Sequence, residues 1–119
     1  MQDLASYTSC ILRDGGHLED GNFGELSPTA HSYIRSVLGS ARLMHTMLQD
    51  AYRTPPPDVK LFVHDLRSPL NGLRGFLEML IYDDHNLTQD QLMLVKRLFF
   101  YANQLMDDTA KILKQTDPQ

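Results

Sequence analysis

The chain has 119 residues, enough for one domain or one domain with a short extension. An apolar share of 42% beside 22% charged residues suits a globular protein and is too apolar for a disordered one. A net charge of −4 argues against a general nucleic-acid surface, and no apolar run nears the ~20 residues needed to cross a bilayer.

Met1-Gln2-Asp3-Leu4 has neither the basic start nor the long apolar stretch of a secretion signal, so a cytoplasmic protein is expected. Residues 1–12 are mildly apolar and suit a short helix. Residues 14–27 carry Gly15, Gly16, Gly21 and Gly24 among acidic residues and read as a flexible linker, giving an N-terminal segment over 1–27. Cys10 is the only cysteine, which excludes an internal disulfide and a cysteine-based zinc site; it reads as a small semi-buried apolar residue.

Ser27-Pro28 predicts a helix start. Serine caps free amide groups, and proline suits the first helical position, where its missing donor is not needed. The apolar seam Ala30, Ile34, Val37, Ala41, Met44, Leu48 and Ala51 alternates steps of four and three, which predicts an amphipathic helix over about 28–52 within a 28–54 segment. Pro55-Pro56-Pro57 ends it.

A further helix is expected over about 58–83, with the seam Val59, Val63, Leu66, Leu70, Leu73, Leu77 and Leu80. Phe62, Phe76 and Met79 widen its apolar face to bundle-core width. Pro69 lies inside it and should bend it by removing one backbone hydrogen bond. Asp83-Asp84-His85-Asn86 reads as a turn. Thr88 with Gln91 three residues on predicts a capping box opening a helix over about 88–114. Its seam is Leu92, Val95, Phe99, Ala102, Met106, Thr109 and Leu113, beside a second stripe through Leu94, Leu98, Tyr101, Leu105 and Ile112. Lys111 and Lys114 suit the helix C-terminus electrostatically, and residues 115–119 read as a tail.

The expected fold is therefore all-α: an antiparallel hairpin over 58–114 plus the N-terminal helix. The hairpin's faces are too wide to bury against each other alone. Homodimerisation is the expected route to a four-helix bundle, with the 28–52 helix and the N-terminal segment as the other source of a wall. The expected core positions are Val63, Leu66, Leu70, Leu73, Leu77, Leu92, Val95, Phe99 and Met106. Met44, Met47, Met79, Met93 and Met106 read as core filler. His17, His31, His45 and His85 share no ligand spacing, so no metal site is expected.

One stretch carries chemistry: Phe62-Val63-His64-Asp65-Leu66-Arg67-Ser68-Pro69-Leu70. With Val63 and Leu66 inward, His64 shares the outer surface with Lys60, Arg67, Ser68 and Asn71. A solvent-facing imidazole titrates near neutrality and leaves one nitrogen free to attack phosphorus. Asp65 is placed to orient the ring and take its proton, and Lys60 and Arg67 to hold phosphate charge or an acidic partner.

The stretch resembles the H-box of two-component sensor histidine kinases, His-Glu/Asp-Leu-Arg-Thr/Asn-Pro-Leu. Asn71-Gly72-Leu73 extends the likeness, which covers about half the chain. The resemblance implies a dimerisation and phospho-acceptor hairpin with His64 as the phosphorylated residue and a response-regulator receiver aspartate as the acceptor. Ser68 stands where that family usually has threonine or asparagine, the position implied to place water for dephosphorylation. The family's ATP-binding domain, which follows its hairpin, has no counterpart before Gln119. ATP is thus expected only through a separate kinase domain, with no cofactor in this chain and no self-phosphorylation. Other readings are a non-catalytic protein that binds a kinase or regulator, and a stand-alone histidine phosphotransfer protein. Against the last, Arg67-Ser68-Pro69 replaces the lysine-glycine pair usual after the histidine there. The Pro69 bend is expected to let a signal alter the exposure of His64.

Overall fold

The computed structural model describes residues 4–82 and 86–116. Four helices follow one another: α1 (Leu4–Glu19), α2 (Pro28–Arg53), α3 (Val59–Tyr82) and α4 (Gln89–Thr116), with no strand among the described residues. Each packs on its chain neighbours, and α1 also packs on α4, closing an elongated bundle of 48 × 26 × 18 Å.

The helix ends follow from local chemistry. Ser27 Oγ accepts from the Ala30 amide at 3.2 Å, with Pro28 in the first turn of α2. Thr54 closes α2 with its amide on the Asp50 carbonyl, just before the proline run. Asp58 Oδ1 caps α3 by accepting from the Leu61 amide at 3.1 Å. The expected box at α4 is reciprocal: the Gln91 amide donates to Thr88 Oγ1 at 3.1 Å, and the Thr88 amide to Gln91 Oε1 at 2.9 Å. Gln91 does more than cap. Its side-chain Nε2 donates to the Gly24 carbonyl at 3.0 Å and ties the α1–α2 loop to the start of α4. Gly24 has φ 107°, and an added Cβ would lie 3.3 Å from that Nε2. Residues 83–85 of the expected turn and 117–119 of the expected tail lie outside the described residues.

Two expectations change. The stretch read as linker from residue 14 is helical to Glu19. Its core face is Leu4, Thr8, Ile11, Gly15 and Leu18, a four-and-three seam that includes a threonine and a glycine. Gly15 is there for space: a Cβ would stand 2.8 Å from Leu38 Cδ2, and Leu38 is buried. Asp14, also buried, accepts from Arg13 Nε at 3.0 Å and from Arg97 Nε of α4 at 3.1 Å, which fastens α1 to α4. The hydrogen bond to Asp14, then its charge, raises the Arg13 pKa above the usual guanidinium value.

The second change concerns the walls. The chain closes its own bundle, with α1 and α2 as the wall, the other of the two expected sources. The α1 seam makes this possible by continuing beyond residue 12 through Gly15 and Leu18.

The core is continuous through all four helices. The α2 seam is buried throughout, as are Val63, Leu66, Leu70, Leu73 and Leu77 of α3 and Val95 of α4. Leu92, Phe99 and Met106 are only half-buried. α4 turns the strip between its two stripes inward, so Gln91, Leu94, Leu98, Ala102, Leu105 and Thr109 join Val95 there. Of the methionines, Met44 is buried and Met47 and Met106 are half-buried. Met79 and Met93 are exposed, which corrects their reading as filler.

Candidate functional site

α3 presents His64 because its seam fixes the helix's rotation. Val63, Leu66 and Leu70 are buried, so His64, Asp65, Arg67 and Ser68 between them face water. Lys60, His64, Asp65, Arg67, Ser68 and Asn71 are all exposed, as the sequence predicts. The His64 side chain is 80% accessible. Lys60 lies one turn before it, while Arg67 and Ser68 lie one turn after, which puts a cation on each side of the ring along one face.

His64 Nδ1 stands 3.9 Å from Asp65 Oδ1, with 58% of the Asp65 side chain accessible. That separation is beyond hydrogen-bond length but inside ion-pair range. The carboxylate therefore stands beside the ring without locking it. Nε2 lies on the opposite edge of the imidazole, away from Asp65.

α3 runs unbroken through Pro69 to Tyr82. Proline has no amide hydrogen to give the carbonyl four residues earlier, which is that of Asp65. The Asp65 carbonyl, next to His64, thus receives no helical hydrogen bond from residue 69. Ser68 is one turn beyond the histidine with its hydroxyl open to solvent.

Several polar links escaped the sequence reading. Below the site, Arg74 Nε donates to Asn103 Oδ1 of α4 at 2.9 Å, and its guanidinium lies 5.8 Å from the centre of the Phe99 ring. Elsewhere Thr8 of α1 meets His45 of α2, and Tyr33 of α2 meets the Phe76 ring at 5.7 Å. These pairs join residues far apart in sequence, and no local spacing announces them. Among the described residues no group of three or more histidine, cysteine or acidic side chains could hold a metal ion, and no helix is long and apolar enough to cross a membrane.

Neither a protein-family model, nor a curated protein, nor a solved structure matches the chain.

Proposed function

We propose that this chain is a phosphoryl-carrying module of two-component signalling, in which His64 receives phosphate and passes it to a receiver-domain aspartate. The reading rests on one observation: an imidazole 80% open to solvent, beside a carboxylate, on a helix whose seam of Val63, Leu66 and Leu70 is buried. The resemblance of His64-Asp65-Leu66-Arg67-Ser68-Pro69-Leu70 to the kinase H-box supports it.

The chemistry balances simply. The Nε2 lone pair attacks the γ-phosphorus of ATP held by a kinase's ATP-binding domain. The bond to the bridging oxygen breaks, and ADP leaves with its electrons. Asp65 offsets the positive charge that the ring gains and accepts the Nδ1 proton. Lys60 and Arg67 attract the phosphoryl oxygens. In the second step Nδ1 regains its proton from Asp65, a receiver carboxylate attacks the same phosphorus, the P–N bond breaks with its electrons to Nε2, and neutral imidazole is regenerated. The partners are thus a kinase ATP-binding domain and a receiver domain, both cytoplasmic.

A bundle closed within one chain favours a carrier that acts as a monomer, close to the stand-alone phosphotransfer reading, over a hairpin that must dimerise. The test supplies a sensor kinase's ATP-binding domain and labelled ATP. The expected label is acid-labile and base-stable, and His64→Gln removes it. A label of unchanged intensity on His64→Gln contradicts the proposal. Binding to either partner that persists in His64→Ala, with no phosphate transferred by the unaltered chain, would favour a non-catalytic binder instead.

A further inference from the structure

A cleft of about 530 Å³ opens between the first half of α1 and the last turns of α2. That volume is in the range of small-molecule sites. Ala5 and Leu48 give it an apolar part, Tyr52 an aromatic edge, and His45, Gln49 and Arg53 a polar stripe. Those three recur every four residues, on one face of α2. Ser6 and Ser9 add hydroxyls from α1. No carboxylate stands among the described lining residues, although the chain as a whole is acidic.

Two groups define what would bind. Arg53 makes no ion pair among the described residues, and it stands at the rim where a second groove, toward Phe62, begins. It therefore offers its donors to an anion. His45 is half-buried and is held from behind. The single hydroxyl proton of buried Thr8 goes to the Ala5 carbonyl at 2.9 Å. The 2.6 Å contact between Thr8 Oγ1 and His45 Nδ1 is then one in which Nδ1–H donates. In the neutral ring this makes Nε2, on the edge away from Thr8, an acceptor for a donor in the cleft.

We infer that this cleft binds a small aryl carboxylate bearing a hydroxyl at the far end of its ring. The carboxylate pairs with Arg53, the hydroxyl donates to His45 Nε2, and the ring lies along Ala5 and Leu48 beside Tyr52. The two polar anchors are eight residues apart, about 12 Å along the helix axis before Arg53 folds back. That spacing suits groups at opposite ends of a ring better than adjacent ones. The inference is independent of the phosphoryl-carrier reading.

Three probes test it by NMR titration of the full chain: 4-hydroxybenzoate, benzoate and 4-hydroxybenzamide. The first is expected to shift the amides of Ser6, Ser9 and Gln49 saturably. Benzoate lacks the hydroxyl and the amide lacks the charge, so each is expected to bind about tenfold more weakly. Arg53→Gln, a change at an exposed side chain, should erase the preference for acid over amide. His45→Asn keeps a donor toward Thr8 and should erase the preference for the hydroxyl. The inference is overturned if no saturable shift occurs or if the three probes bind alike. It is equally overturned if Arg53→Gln, with an otherwise unchanged spectrum, still prefers the acid.

Discussion

Replacing Asp65 with asparagine keeps the size of the side chain and removes its charge. In the proposed phosphoryl transfer the carboxylate, 3.9 Å from His64 Nδ1, contributes to the charged ring and to proton transfer, not to holding the ring in place. Asp65→Asn is accordingly expected to slow phosphorylation by about 10²-fold, near the low end of general-base contributions, while the label still forms. Quench-flow or timed gel assays would measure this, and an unchanged rate would remove Asp65 from the chemistry. The sequence announced this face well. Val63, Leu66 and Leu70 set the rotation of α3, and everything exposed about His64 follows from that rotation. It could not announce the Asp14–Arg97 link, whose partners are 83 residues apart, nor the Thr8–His45 pair, whose meaning depends on a tertiary neighbour.

At the scale of the element, α1 shows why local reading failed. Two consecutive glycines looked like a loop, since each lowers helix propensity by about 1 kcal/mol relative to alanine. They differ in context. A Cβ on Gly15 would press into Leu38, whereas nothing lies within 4 Å of one on Gly16. Gly16→Ala is therefore expected to stabilise the fold by about 0.5–1 kcal/mol. Gly15→Val is expected to destabilise it by about 1–3 kcal/mol through overpacking against α2. Urea unfolding of both variants checks this pair, and equal effects would mean that α1 does not pack on α2 through Gly15. The seams of α2 and α3 were legible because each is filled by apolar residues at regular steps. In α4 the two overlapping stripes gave the right helix but an imprecise inner face, and Leu92, Phe99 and Met106 fall on its flank.

For the whole molecule, the consequence is self-sufficiency. Leu4, Ile11 and Leu18 of α1 are buried in the same core as Leu66, Leu70 and Leu98 of the hairpin. The chain is expected to sediment as a monomer near 13.6 kDa. A piece holding only residues 58–116 should instead self-associate or unfold, because it loses the two helices that cover its apolar faces. Analytical ultracentrifugation of both distinguishes the cases. A full chain that sediments only as a dimer would show that the outward faces of the bundle also pair.

Chemical phosphorylation puts the central claim to its most direct test, since it needs no cognate kinase. The full chain would be treated with phosphoramidate and the modified nitrogen located by peptide mapping and by 15N–31P coupling. The account predicts one phosphoryl group on His64 Nε2, formed ahead of any at His17, the other exposed histidine among the described residues. Modification of His17 while His64 stays bare would contradict it.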